Sequence, residues 1–343
     1  MDFSGVPVSS MPRRVRVQAR QVFVLSALTS AGWGDYTQQA QASMHWLTER
    51  AFMPDGEPGW VHRLNPDGSV LDSVRDLYDH AFILLALGTL YSATQNSSYL
   101  DQADETLEFL DQMMASPAGG YVESIGGEPG PRRQNPHMHF FEAMLALYAA
   151  TKRADYRRRL DALFALFEGL FLDVEAGVVR EFFESDWSRL AGKDGDLCEP
   201  GHACEWVWLL SEYNRLTGVR TQPIAQRLFE TAMSVGINPQ TGLLNAAMTV
   251  DAKVVNSASR SWMQTEWMRA ASAMMRWGEA SAEQRLEQCL KVSQQRHFSS
   301  VLPGGWVDQV DGNGQQACSV MPTSTLYHVV GALLEVEQAG KTR

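Results

Sequence analysis

Three histidines stand near the start of apolar runs: His139 in "NPHMHFFEAMLAL", His202 in "EPGHACEWVWLL" and His328 in "MPTSTLYHVVGALL". Imidazole exchanges protons near neutral pH, and in the first turn of a helix the positive end of the dipole favours its neutral form. The placement therefore predicts general bases, with His202 the best placed and His328 about a turn deeper. Pro136, Pro200 and Pro322 suit the first helical position, and Asn135 and Ser261 read as N-caps. Glu205 follows His202 by three residues and shares its helix face, where it would orient the imidazole, bind a hydroxyl or pair with an arginine. Glu266 in "SWMQTEW" carries the same alternatives. Arg20, inside the apolar "QARQVFVLSAL", would be costly to bury unpaired and is expected to face a pocket. Trp60, Trp262 and Trp306 fall in loops or at helix entrances, where an indole face could stack on a sugar ring. His80 is left open between core and chemistry, and His45, His62 and His297 read as structural or surface residues.

The polar residues keep a beat. Arg20, His80, His139, His202, Glu266 and His328 are separated by 60, 59, 63, 64 and 62 residues. Glycine-led segments starting at Gly59, Gly119, Gly177, Gly242 and Gly304 recur on the same period, and their alternation around turns reads as β-hairpins. Behind them comes a helix apolar nearly all round, such as "DLYDHAFILLALGTLYSA", then one with a charged face, such as "SSYLDQADETLEFLDQMMA". The first kind belongs inside and the second outside. Six inner helices and five outer ones, near residues 35–50, 98–114, 153–171, 220–236 and 279–297, predict an all-α (α/α)6 barrel. Its short β-hairpin loops would gather the polar groups at one end, and residues 1–343 would form a single catalytic domain. The first outer helix and one hairpin arm are missing from the count, so the reading expects a truncated N-terminus or a second chain covering that face.

Composition narrows the classes. A net charge of -11 argues against nucleic acid, whose phosphates need a concentrated Lys/Arg face. No apolar run approaches the roughly 20 residues of a membrane span, and "MDFSGVPVSSMPRR" lacks the apolar core of a signal peptide. Cys198, Cys204, Cys289 and Cys318 form no metal-like or CxxC spacing, which fits reduced thiols in a cytoplasmic protein. No nucleotide, Ser-nucleophile or HExxH motif is present, so neither a cofactor nor a metal is expected. A homodimer is left open.

The segments "RRQNPHMHFFEA", "EPGHACEWVWLL", "WMQTEW" and "MPTSTLYH" resemble, in order, the signature segments of the N-acylglucosamine 2-epimerase superfamily, most closely its mannose and sulfosugar isomerase branch. The likeness runs from about Arg13 to His328. It implies the same (α/α)6 barrel, a monosaccharide substrate, and His202 and His328 as the histidines that exchange protons with it. By the same resemblance Arg20, Tyr78, Asn135, His139, Glu205, Trp262, Gln264 and Glu266 match sugar-contacting positions. The chemistry expected is removal of the C2 proton of an open-chain aldose to a cis-enediol, then return of a proton to C1, giving D-fructose from D-mannose. Return to the other face of C2 would make a 2-epimerase of N-acylglucosamine or cellobiose type. Glycoside hydrolysis through paired carboxylates among Glu142, Glu205 and Glu266 is a further reading, and so is sugar binding without turnover.

Overall fold

The computed structural model describes residues 1–299 and 302–341. Among the described residues eleven α-helices alternate in character: α1 (Val15–Ser30), α2 (Thr37–Ala51), α3 (Leu77–Thr94), α4 (Ser98–Phe109), α5 (Gln134–Thr151), α6 (Ala154–Leu166), α7 (Pro200–Thr217), α8 (Gln222–Val235), α9 (Ser261–Arg276), α10 (Ala282–Arg296) and α11 (Leu326–Lys341). Burial follows the patterning. Helix α9 buries fourteen of its sixteen residues, whereas α10 buries only Ala282, Leu286, Cys289 and Ser293, one stripe at helical spacing. Helix α3 is likewise buried nearly all round and α4 on one face; α5 and α7 follow α3, each burying twelve of eighteen residues, whereas α1 and α11 bury only six and five of sixteen. Helices α3, α5 and α7 end on left-handed residues, Gln95, Lys152 and Gly218, which turn the chain back toward the next outer helix.

The chain divides into two compact units. The N-terminal unit comprises Ser9–Leu170 with Phe182–Leu190. In it α3 packs between α1 and α5, and α2, α4 and α6 lie against α1, α3 and α5 respectively. The C-terminal unit comprises Ala191–Arg343 with Met1–Val8 and Phe171–Glu181. Here α9 packs between α7 and α11, with α8 on α7 and α10 on α9.

The glycine-led segments differ from simple hairpins. Residues 63–72 and 247–256 do form antiparallel hairpins, but the more regular pairing joins consecutive repeats. Two residues ahead of an inner helix pair antiparallel with the loop one repeat on: Arg13–Arg14 with Arg63–Leu64, Arg75–Asp76 with Ser124–Ile125, and Arg132–Arg133 with Phe182–Phe183. Leu197–Cys198 with Ala247–Thr249 and Ser259–Arg260 with Gln309–Val310 continue the series, and Val320, ahead of α11, bridges to Asp2. Alternation around a turn cannot tell a local partner from one fifty residues away, which is why the sequence suggested hairpins throughout.

Candidate active site

In the C-terminal unit, two short extended entries deliver the histidines. Pro200 opens α7, as expected, and places His202 in the first turn; Pro322 instead caps the 3-10 turn Thr323–Thr325 that leads into His328 and α11. Asp308 ties the entry of α11 to the start of α9, accepting from Thr325 Oγ1 at 2.6 Å and Ser261 Oγ at 3.3 Å and pairing with Arg260 at 3.1 Å. Trp262 packs against both imidazoles, its ring centroid 5.1 Å from that of His202 and 5.6 Å from that of His328. Gly201 permits this approach, because a Cβ there would lie 2.9 Å from the Trp262 ring.

Each imidazole is held by a carboxylate at Nδ1. His202 Nδ1 donates to Glu181, 3.0 Å from both oxygens, and His328 Nδ1 donates to Glu266 Oε1 at 2.8 Å. This contact fixes the ring and makes Nε2 the basic nitrogen whenever the ring is neutral. Glu266 also accepts from Arg269 Nη1 at 3.0 and 3.3 Å. Glu205 lies with Glu266 and His328, their ligating atoms within 4.8 Å of one another, so the carboxylate on the His202 ring is Glu181 and not Glu205.

The charge of His202 is the main correction to the sequence reading. Burial opposes a charged ring, but Glu181 and Glu199, with the Glu181 hydrogen bond, outweigh it and push the pKa up to about 10. The helix dipole expected to keep His202 neutral is overruled by two carboxylates at close range, the second at 3.7 Å. Glu199 itself is pushed up to about 7, by burial first and Glu181 after it, with His202 pulling the other way. Glu181, Glu199 and His202 could together reach one cation, as could Glu205, Glu266 and His328. At the first of these a metal would have to displace a firmly held proton.

The N-terminal unit carries its own polar cluster. Arg20 Nη2 donates to Tyr78 Oη at 3.0 Å and its guanidinium lies 4.0 Å over Phe82. His139 packs on Tyr78 and Phe82, ring centroids 5.0 and 4.6 Å away, and its Nδ1 donates to Glu142 at 3.2 Å. Asn135 lies inside the first turn of α5, whose cap is Arg133, and Ser261 opens α9 after the cap Arg260; neither is the N-cap the sequence suggested. Pro136 is correspondingly the third residue of α5.

Three of the residues on the sixty-residue beat, or next to it, serve the scaffold. His80 Nε2 accepts from Trp60 N and His137 Nε2 accepts from Tyr121 N, both at 3.0 Å, each with Nδ1 donating to a carbonyl one turn back. Burial pushes both down, to about 4 and about 3. Gln264 plays the same part on α9, its Oε1 accepting from Leu244 N at 3.3 Å and its Nε2 donating to Ser259 Oγ at 2.8 Å. Sequence reasoning passed over Glu181, Glu199 and Arg269. Glu199 and Arg269 carry a local signal, three residues from His202 and Glu266, but Glu181 has none.

Comparison with known proteins agrees with this architecture. The family model for N-acylglucosamine 2-epimerase (GlcNAc 2-epimerase) matches residues 1–332. A Rhizobium meliloti (strain 1021) protein named mannose-6-phosphate isomerase is 32% identical over 99% of this chain and 89% of its own length. The structure of cellobiose 2-epimerase from Bacillus thermoamylovorans B4167 superposes with a TM-score of 0.89 at 22% identity, covering 98% of this chain and 91% of that one. A crystal structure of D-mannose isomerase gives 0.86 at 21% identity, covering 98% and 88%.

Proposed function

The chain belongs to the N-acylglucosamine 2-epimerase family and is an isomerase or epimerase, and on that premise we propose that it interconverts D-mannose, or a close C2-related aldose, with D-fructose on an (α/α)6 barrel. The observation that carries the reading is the pair of buried imidazoles packed against one indole, Trp262, each oriented by a carboxylate but in unequal charge environments. Groups whose surroundings push their proton affinities apart divide into acid and base.

His328 is the base. Its Nε2 takes the proton from C2 of the open-chain aldose while the His202 imidazolium donates a proton to O1, giving the cis-enediol. His202, now neutral, recovers a proton from O2 as the carbonyl forms there, and His328, whose captured proton exchanges with solvent during the lifetime of the enediol, returns a proton to C1. Both histidines end as they began, so the cycle closes without a redox partner. Glu205 is proposed to accept from a sugar hydroxyl, and Trp262 to offer the ring a flat apolar face. Arg20, Tyr78, Asn135 and His139 are proposed hydroxyl contacts in the N-terminal unit. Gln264, with both ends of its amide engaged, is assigned to the scaffold. No helix among the described residues is long and apolar enough to cross a membrane, and four free thiols fit the cytoplasmic location we propose.

A 2-epimerase is the second reading, favoured by the likeness to cellobiose 2-epimerase and by the presence of two imidazoles packed on one indole, either of which could return a proton to C2. Incubation with D-mannose, N-acetylglucosamine and cellobiose, followed by chromatography of the products, separates the two. Fructose as the main product supports the isomerase; glucose from mannose, or an epimerised amino sugar or disaccharide without ketose, overturns it.

A further inference from the structure

We propose that Arg269 is the positioning residue that reserves His328 for the role of base, by sharing the charge of Glu266 and so disfavouring a second positive charge on the imidazole. The inference rests on the isomerase reading above. Arg269 stands one turn beyond Glu266 on α9, and both are buried. Its guanidinium lies 3.4 Å from the centroid of the Trp208 ring on α7, and a Cβ at Gly331 on α11 would stand 3.7 Å from its Cζ. All three inner helices of the unit therefore hold this cation, which makes it a fixed charge and not a mobile surface one.

Several charged and aromatic groups face His328 within its unit. From α9 come Glu266, at hydrogen-bond distance, then Arg269 behind it and the Trp262 ring; from α7 comes Glu205. Tyr327 packs edge-on from its own helix, and Asp308 is engaged by Thr325, Ser261 and Arg260. The Cys204 thiol on α7, near Glu266, is pushed well above its usual range by burial and stays neutral. Arg269 thus sets a fixed positive charge against the carboxylate that holds His328. At His202 the neighbours are Glu181 and Glu199, two carboxylates that favour the charged ring. The two histidines share one carboxylate-to-Nδ1 design, and at His328 that carboxylate also accepts from a guanidinium. Arg269 touches no reacting atom in this scheme and acts through Glu266.

The test is a ¹H–¹³C NMR titration of the His328 ring in the full chain, wild type, Arg269→Met and Arg269→Lys, together with pH profiles of kcat and KM for the sugar turned over. Arg269→Met is expected to raise the His328 midpoint by about one unit and to carry the acid limb of kcat/KM with it, kcat at neutral pH falling about tenfold and KM changing less than about threefold. Arg269→Lys, which keeps the charge, is expected to restore most of the wild-type midpoint. A midpoint unchanged in Arg269→Met, even with lowered activity or stability, overturns the proposal and leaves Arg269 a packing residue. If Arg269→Met does not fold, Arg269→Gln, which keeps amide donors without the charge, reads the same coupling: a raised midpoint supports it and an unchanged one overturns it. Because the titration needs no substrate, failure of the wild type to convert any sugar would count against the isomerase reading alone.

Discussion

His202 and His328 each give Nδ1 to a glutamate, yet His202 has a second carboxylate beside it while the glutamate of His328 is shared with an arginine. The difference has consequences that pH can read. With a folded pKa near 10, against about 6.5 when unfolded, His202 contributes stability that is complete below about pH 6.5 and is lost as the pH rises through 10. The same ionisation should set the basic limb of kcat/KM, since the proposed acid is lost when the ring loses its proton. Glu181→Gln removes the nearest carboxylate, so the basic limb is expected to move to lower pH and the loss of Tm on alkalinisation to begin earlier. A limb unmoved by this substitution would mean that His202 is not the acid. Little of this is legible in the chain itself. Glu181 lies 21 residues before His202, brought beside it by an extended segment whose backbone pairs with Leu197, and no periodicity marks it. The i, i+3 rule pointed to Glu205, and the same rule holds at His139 and Glu142.

At the level of helices, counting from the residue that caps each one explains what the sixty-residue beat conflated. Arg20, His139, Glu205 and Glu266 are the sixth residues after caps Arg14, Arg133, Glu199 and Arg260. His80, His137 and Gln264 are the fourth residues after Asp76, Arg133 and Arg260, and they face the loops. Two residues are about 200° of helix rotation, which separates pocket from scaffold, yet that shift disappears inside repeats whose lengths vary by five. The apolar patterning of α1 to α11 was therefore readable and the rotation of each helix was not. The scaffold histidines make a prediction of opposite sign to that for His202. His80, held near 4, stabilises the fold in its neutral state, so its contribution declines as pH falls from about 6.5 toward 4. That decline is on the order of 3 kcal/mol. His80→Gln keeps an acceptor for Trp60 N without a titrating ring. Chemical denaturation at pH 7 and pH 4 should show a smaller loss for this variant than for the wild type; an equal loss would contradict the anchor role.

Over the whole molecule, the same inner–outer alternation builds both units, and each takes in a piece of chain from elsewhere in the sequence: Met1–Val8 belongs with the C-terminal unit and Phe182–Leu190 with the N-terminal one. Such exchanges could not be foreseen from composition or period, because they depend on two-residue strands with no pattern of their own. The proposed proton-transfer pair, by contrast, lies within the C-terminal unit, where His202, Trp262 and His328 come from the first turns of α7, α9 and α11. Replacing either histidine by alanine is expected to lower kcat by at least about a hundredfold. A residual turnover within about tenfold of the wild type would remove that residue from the scheme. The most direct measurement is proton NMR of the enzyme with D-mannose in D2O, wild type beside His328→Ala. The account predicts fructose carrying deuterium at C1 from the wild type, and neither exchange nor product from the variant. Fructose formed without solvent deuterium in either sample, or wild-type exchange rates from His328→Ala, would contradict the enediol route through His328.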